Sequence, residues 1–556
     1  MLVLKGKGIC GGVAFGKLSF YRRVCPPTER RQIPEPKEEI RRFETARAQA
    51  LEQLGALYEK ALPQAGEQGA LIFQIHQMML EDEDYTSSIV DLIRSERVNA
   101  EYAVDVTSKT FAGNFSAMDD PYMKERAADV KDISERLMKL LLGGNSSVVS
   151  SDMPVIIAAE DLSPSETVQL DKSKILAFLT AGGSSNSHTA ILARTMGIPA
   201  VVGVGEALWK AAESCDAIVD GETGTVYLEP DKAVCAAMRK KQETASERAR
   251  LLEKLKGKPD VTLDGQAVMI HANIGSLADL EAALRNDAGG IGLFRTEFLY
   301  LEKSCFPTED EQFAVYKAVA QAMAGKRAVI RTLDIGADKQ APYFGLPQEE
   351  NPALGMRAVR YCLTNPDIFK TQLRAIYRAS AFGKIAILFP MITSVDEVRR
   401  VREIAVQAQN ELSAEGLPFS KAVELGVMIE TPAAAVLSDR LAKEADFFSV
   451  GTNDLTQYAL AVDRQNPRLE PFCDARHEAV LRLIQMAAER ARRAGIWIGV
   501  CGGLAADLQL TETFLAMGID ELSVPPSSIL ELRKKIRGTN VEKIRKSALA
   551  LFHDAV

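Results

Sequence analysis

Apolar residues recur along this chain in two rhythms that change at identifiable points. Over the first 20 residues a short apolar run broken by glycine predicts a strand and a Gly-rich turn, and Pro26, Pro27, Pro34 and Pro36 then mark a change of style. From about Lys37 to Gly143 the spacing becomes three and four. Ile40, Phe43, Ala46, Ala50, Leu54, Leu57 and Ala61 fall on one helix stripe, and Tyr122 to Leu142 repeats the style before Gly143 and Gly144 close it. From Pro154 to about Glu229 short strands return as PVIIAA, KILAFLT, AVVGVG and AIVDGETGTVYL, with one helix, TAILARTMG, among them. The expectation is an α/β domain of residues 1–25 and 145–230, interrupted by a helical insert of residues 26–144. Residues 231–258, rich in Lys, Arg, Glu and Ala, suit a solvated linker helix.

The remainder, residues 259–556, alternates strand and helix. Eight strand candidates are present: VMIHANI, GIGLFRTEF, AVIRTLDIG, IAILFPMI, LGVMIET, FFSVGTND, IWIGVCGG and ELSVPP. A helical segment follows each of the first seven, and the last leads into ILELRKKIR. Eight such units in about 300 residues is the arithmetic of a (β/α)8 barrel of the TIM type. The fold class expected is therefore multidomain α/β: an α/β domain carrying an inserted helical bundle, then a barrel.

Composition narrows the function classes. The 556 residues are 47% hydrophobic and 26% charged, with a formal charge of −8, which argues against nucleic acid as the main partner. No apolar run reaches membrane-spanning length and the first residues lack a signal-peptide pattern, so a cytoplasmic protein without membrane insertion is expected. The eight cysteines form no C-x-x-C pair, which fits a reducing compartment and gives no zinc spacing.

Chemistry in such barrels sits where the strands end. Asn273, Arg295, Arg331, Glu430, Thr452, Asn453, Asp454 and Cys501 fall at those ends, with Asp334, Asp338 and Lys339 just beyond the third. Several arginines in one place suit a small, multiply charged anion, because guanidinium grips carboxylate and phosphate in bidentate fashion. Two carboxylates beside an anion would repel it unless a cation such as Mg²⁺ lies between them, and Glu430 and Asp454 are the pair expected to hold it. Taken singly, a lone Arg or Asp is more often a surface ion pair, and a lone Cys a buried hydrophobe. Their common location is what raises them above that.

In the first domain, His188 follows Gly182, Gly183 and three serines in AGGSSNSHTAILARTMG. A helix starting near it, capped by Ser187 or Asn186, would stabilise negative charge on the imidazole, and Arg194 could add a cation if the chain folds back. By spacing alone, a histidine in this position is more often a polar contact or cap.

With AEDLSPSETVQLD, SHTAILAR, GIGLFRTEFLY, VIRTLDIGADK, NPALGMRAVR, GVMIETPAAA, SVGTNDLTQYALAVDR and VCGGLAAD in view, the chain resembles Enzyme I of the bacterial phosphoenolpyruvate:sugar phosphotransferase system over nearly its whole length. The resemblance implies that His188 carries the phosphoryl group in a swivelling phosphohistidine domain. It implies that Arg295, Arg331, Asn453, Asp454 and Arg464 grip phosphoenolpyruvate, assisted by Lys339 and Arg357. It assigns Glu430 and Asp454 to Mg²⁺ and makes Cys501 the acid that protonates the enolate carbon. The helical insert becomes the docking surface for the phosphocarrier protein HPr, the barrel a homodimerisation domain, and the linker a hinge. Ser184, Asn186 and Gly503 depart from the usual family pattern, and EPFCDARHEAV departs around His477, which is read as structural. His76 and the neighbouring Met78 and Met79 are read as helix-surface or docking residues, with core packing as the other reading of the methionines. The run Tyr122, Lys124, Glu125 and Arg126 is a further candidate for contact with the histidine domain. Two other readings fit the same modules. One is a dikinase or synthase, which needs an ATP domain for which no Gly-rich Lys-Ser/Thr loop is found. The other is a non-catalytic phosphoenolpyruvate-sensing protein.

Overall fold

A computed structural model describes residues 1–21, 28–117, 121–143, 153–162, 166, 170, 172–183, 187–301, 303, 305–336, 341–347 and 349–548. The chain divides into two units, Met1–Glu247 and Arg248–Val556. The division falls inside helix Lys232–Glu253, in which no residue is buried.

The first unit is built on one eight-stranded sheet. Its strands are β1 (Leu2–Lys5), β2 (Lys7–Cys10), β3 (Val13–Phe20), β4 (Val155–Ala159), β5 (Ile175–Thr180), β6 (Ala200–Val202), β7 (Asp216–Asp220) and β8 (Thr225–Leu228), in the order β1-β8-β7-β3-β4-β5-β6-β2. The single strand expected at the N-terminus is thus three. Gly6 separates the first two, and Gly11 and Gly12, the latter at φ +112°, separate the second and third. The run AIVDGETGTVYL is likewise two strands joined as an antiparallel hairpin. Its turn is set by Asp220, whose carboxylate accepts from the backbone N–H groups of Glu222 and Thr223.

The parallel pairing of β3 with β4 brings residues from both sides of the helical segment into one sheet, with Lys17 opposite Val155. Apolar side chains alternate between its faces. Ile156, Ala177 and Val219 pack into one cluster, while Val155, Ile157 and Phe178 pack into another.

Between β3 and β4 lie α1 (Pro36–Glu81), α2 (Glu83–Glu96), α3 (Ala100–Ala117) and α4 (Pro121–Leu141). Pro36 opens α1, where its missing N–H costs nothing. The stripe read from the sequence is buried from Phe43 to Ala61, with Ile40 partly buried, and meets Ile89, Val104, Ile133 and Leu137.

His76 is not on this bundle's surface, as the sequence reading allowed. It is 1% exposed, with Nε2 3.3 Å from Asp129 Oδ1 and Nδ1 3.6 Å from Asp132 Oδ2. Met78 is exposed, whereas Met79 packs against the core. Arg126 pairs with Asp129 at 2.8 Å.

In the second unit, β9 (Met269–Ile274), β10 (Ile291–Phe294), β11 (Ala328–Arg331), β12 (Ile385–Phe389), β13 (Glu424–Ile429), β14 (Phe447–Gly451), β15 (Trp497–Cys501) and β16 (Glu521–Val524) close into a parallel barrel. Alternation decides what faces where. Leu293, Val329, Leu388, Met428, Phe447 and Cys501 fill the interior, while Ile330, Ile387, Val427 and Val450 pack outward against the helices. The N-terminal end of the barrel is plugged. Phe447 and Trp497 stack at 4.3 Å, and the Arg327 guanidinium lies over Trp497 at 4.4 Å, held by Glu424 at 3.1 Å. Gly426 is required there, because a β-carbon would meet the Phe447 ring at 2.2 Å. No helix among the described residues is long and apolar enough to cross a membrane.

Candidate active site

The opposite end of the barrel is polar and open. A cavity of about 290 Å³ is lined there by Arg295, Arg331, Asp334, Asn453, Asp454, Arg464 and Cys501 among others. All but Arg464, which follows helix Thr452–Leu460, are delivered by a strand end or the segment just after it. Arg331 and Cys501 are the last residues of β11 and β15, Arg295 follows β10, and Asn453 and Asp454 lie in the first turn of helix Thr452–Leu460 after β14.

A connected ion network organises the cavity wall. Arg331 donates to Glu297 through one Nη and pairs with Asp334 at 3.0 Å through the other. Asp334 also accepts from Arg357, with Nη2 at 2.9 Å from Oδ1 and 3.1 Å from Oδ2. Arg357 continues to Asp454 Oδ1 and the Tyr458 hydroxyl, both at 3.1 Å, and Asp454 Oδ2 accepts from Arg464 at 3.4 Å. Burial alone would weaken the guanidinium charges of Arg331 and Arg357, but the surrounding carboxylates outweigh it and raise both.

Glu430 immediately follows β13 and is fully buried. Its Oε1 accepts from the Met391 N–H at 2.6 Å, a residue held at φ +59°. Its Oε2 has no hydrogen-bond partner. That oxygen lies beside the cavity-lining Gly451, where a β-carbon would meet it at 2.7 Å. Burial, and after it the charges of Asp454 and Asp334, push the Glu430 carboxyl up to about 8. An orphaned buried carboxylate oxygen next to a second carboxylate is the arrangement a hard divalent cation would relieve, so the residues present fit such an ion.

Cys501 is buried, and burial pushes its thiol up to about 11. The sulfur accepts from Ser449 Oγ at 3.4 Å and donates to Val450 O at 3.3 Å. Gly502, at φ +89°, turns the chain away from it, and a β-carbon there would meet Thr452 Oγ1 at 2.5 Å. Asn453 Oδ1 accepts from the Gly503 N–H at 3.0 Å, so the backbone at this position braces the amide.

Most of the residues expected at the rim therefore meet in one place. Arg357 instead lies behind the wall and lines a neighbouring cavity with Tyr458 and Arg464. Lys339 and Asp338 lie outside the described residues. Asn273 is turned into the barrel wall, donating to Ser523 O at 3.0 Å. Glu297 and Tyr458 were not singled out in the sequence. Glu297 sits two residues after Arg295, and Tyr458 one helical turn after Asp454, a spacing that places them on one helix face.

In the first unit, helix His188–Met196 begins at His188, with Ser187 as its cap accepting from the Ala190 N–H. Its first turn is tied down by Thr189, whose hydroxyl donates to Asp161 Oδ1 at 2.8 Å and accepts from the Leu162 N–H at 3.1 Å. Arg194 lies in the last turn of that helix, and its charge acts on Cys10. Asn186 and Ser184 are outside the described residues. His477 caps helix Glu478–Ala494 through Nδ1, which accepts from the Ala479 N–H at 3.2 Å.

Comparison with known proteins agrees with this division. Residues 249–541 match the family described as PEP-utilising enzyme, PEP-binding domain; residues 5–126 match its N-terminal family and residues 152–224 its mobile-domain family. The chain is 43% identical over 556 residues to the phosphoenolpyruvate-protein phosphotransferase of Geobacillus stearothermophilus, covering 99% of this chain and 96% of that protein. It is 40% identical over 559 residues to the protein of that name from Bacillus subtilis, covering 100% and 97%, and 42% identical over 539 residues to that from Haemophilus influenzae, covering 96% and 93%. With a barrel whose rim gathers arginines, carboxylates and a thiol, and with this likeness along essentially its whole length, the chain belongs to the phosphoenolpyruvate-protein phosphotransferase family of PEP-utilising enzymes.

Proposed function

We propose that this protein takes the phosphoryl group of phosphoenolpyruvate onto His188, releasing pyruvate, and passes it to the histidine of the phosphocarrier protein HPr in the cytoplasm. The observation that carries the reading is the convergence of Arg295, Arg331 and Arg464 with Asn453, Asp454 and Cys501 on one cavity. Arg295, Arg331 and Arg464 would hold the carboxylate and phosphate, with Asn453 adding an amide and Arg357 fixing Asp454 from behind. Glu430 and Asp454 would hold a divalent cation, which we take to be Mg²⁺ and which would offset the substrate's negative charge. Among the described residues no group of three or more His, Cys, Asp or Glu could hold a metal, so its other ligands would come from substrate and solvent.

Phosphoryl transfer needs position and charge neutralisation more than covalent assistance. The bridging P–O bond of phosphoenolpyruvate breaks as the bond from phosphorus to a His188 ring nitrogen forms, and the electron pair leaves with the enolate. Cys501, kept protonated by burial, donates its proton to the enolate methylene carbon to give pyruvate, and solvent restores the thiol. Residues 26–144 would dock the carrier and residues 259–556 would dimerise, with residues 1–25 and 145–230 presenting the histidine and 231–258 linking the two. Incubation with labelled phosphoenolpyruvate and Mg²⁺ should leave acid-labile label on the wild type and none on His188→Ala. Equal labelling of the variant would sink the assignment.

A further inference from the structure

The plugged end of the barrel carries another cavity, of about 410 Å³, which takes no part in the rim chemistry. One wall is Tyr377 from helix Pro366–Ala379; another is Arg402 and Gln409 from helix Val395–Ala414; Lys421 and Glu424 enter from the segment before β13, and Asp446 precedes β14. The position of β13 and β14 starts puts this cavity at the N-terminal ends of the strands, away from the ends where phosphoenolpyruvate is read.

Tyr377 is fully buried, yet its hydroxyl meets no group in hydrogen-bonding geometry. The Gln409 side chain is its nearest hydrogen-bonding neighbour, acting on it without reaching good geometry, and Arg402 and Asp446 act on it by charge. Native proteins rarely leave a buried hydroxyl unmet, and this one borders a cavity. Burial pushes its phenol up to about 12, so it stays a donor at any physiological pH.

The charges around it are mixed. Arg402 spends one Nη on Glu444 O at 2.6 Å, and Lys421 makes no ion pair among the described residues. Glu424 is already committed, to Arg327 at 3.1 Å and to the Trp497 indole N–H at 3.2 Å. Asp446 uses Oδ2 to accept from the Leu425 N–H at 2.7 Å. What remains for a ligand is two cations, a hydroxyl donor and one carboxylate oxygen. A simple dianion would be repelled by Asp446, and a cation by Arg402 and Lys421.

We infer that this cavity binds an anionic α-amino acid. Tyr377 and Arg402 take its α-carboxylate, Asp446 takes its ammonium, and Lys421 meets its side-chain carboxylate. The inference is independent of the assignment at the barrel rim.

The chain offers its own reporter. It has two tryptophans, Trp209 and Trp497, and the Trp497 indole is bonded to Glu424 on the cavity wall. In full-length protein carrying His188→Ala and Trp209→Phe, L-aspartate should change Trp497 emission saturably, with or without phosphoenolpyruvate and Mg²⁺. Tyr377→Phe and Lys421→Gln should each raise the apparent Kd about tenfold, the scale of one lost charge-assisted hydrogen bond. Succinate, which lacks the ammonium, should bind at least about tenfold more weakly than aspartate on the same scale. The inference is overturned if no saturable change is seen by emission or calorimetry. It is equally overturned if phosphoenolpyruvate competes the change away, if succinate matches aspartate, or if both variants bind as the wild type does. Lys421 is exposed, so that variant keeps the test open should Tyr377→Phe fail to fold.

Discussion

Asp334 offers the sharpest test of how the rim is held together. It is 3% exposed and stands between two guanidiniums, pairing with Arg331 at 3.0 Å and bridging Arg357 with both oxygens. Asp334→Asn keeps the shape and removes the charge. Arg331 would retain Glu297, and Arg357 would retain Asp454, so neither cation is stranded. Breaking one member out of a buried pair typically costs about 3–5 kcal/mol, and the surviving partners argue for the lower end, about 3 kcal/mol. For a unit of roughly 300 residues, an unfolding entropy of about 2.1 cal/mol/K per residue converts this to a fall in Tm of about 5 °C. The same substitution frees Arg331 to shift toward Glu297, away from the cavity, so KM for phosphoenolpyruvate should rise by about tenfold, equivalent to about 1.4 kcal/mol of substrate binding. Thermal unfolding of the full chain, followed with steady-state kinetics of carrier phosphorylation, reads both quantities. A variant with Tm within about 1 °C of wild type and an unchanged KM would refute the claim that this carboxylate organises the arginines.

Other perturbations separate chemistry from stability. Glu430→Gln should abolish metal-dependent phosphorylation while leaving Tm in chelator close to wild type near neutral pH, because the amide replaces a carboxyl that burial already favours in its protonated form; a large loss of Tm would contradict that. Gly451→Ala should cost about 1–3 kcal/mol by overpacking against Glu430 and weaken cation binding, measured by calorimetry. Cys501 should resist iodoacetamide at pH 8 while exposed Cys305 reacts, as peptide mass mapping would show. Its folded pKa is raised, so its contribution to stability is intact below the ordinary thiol value near 9 and is lost as pH climbs toward about 11; Cys501→Ser should flatten that alkaline decline. Ser187→Ala should lower the stability of the first unit by about 1 kcal/mol through loss of the helix cap ahead of His188.

What the sequence disclosed depended on range. The eight barrel strands were readable because each is a short apolar run bounded by polar residues, and the rim residues because they follow those runs directly. The pairing of Arg331 with Glu297, 34 residues apart, and of Arg357 with Asp454, 97 apart, was invisible, since nothing local tells a carboxylate which guanidinium it will meet. His76 misled for the opposite reason. A polar residue in a helical rhythm reads as surface, and only the packing of α4 against α1 supplies the two aspartates that let it be buried. The three strands hidden in the first 20 residues escaped because each is too short to show a period and glycine reads first as a turn.

The insertion of α1–α4 between neighbouring strands sets a schedule for synthesis. β3 leaves the ribosome with its parallel partner β4 still more than 130 residues away, and β1 waits for β8 near residue 228. At roughly 5–20 residues per second, the first sheet edge stands open for on the order of ten to forty seconds. The helical bundle, whose contacts lie within its own segment, can fold inside that interval. The nascent chain therefore presents a finished bundle and three unpaired strands at once, and it is in this window that its open strand edges are most exposed to wrong pairing.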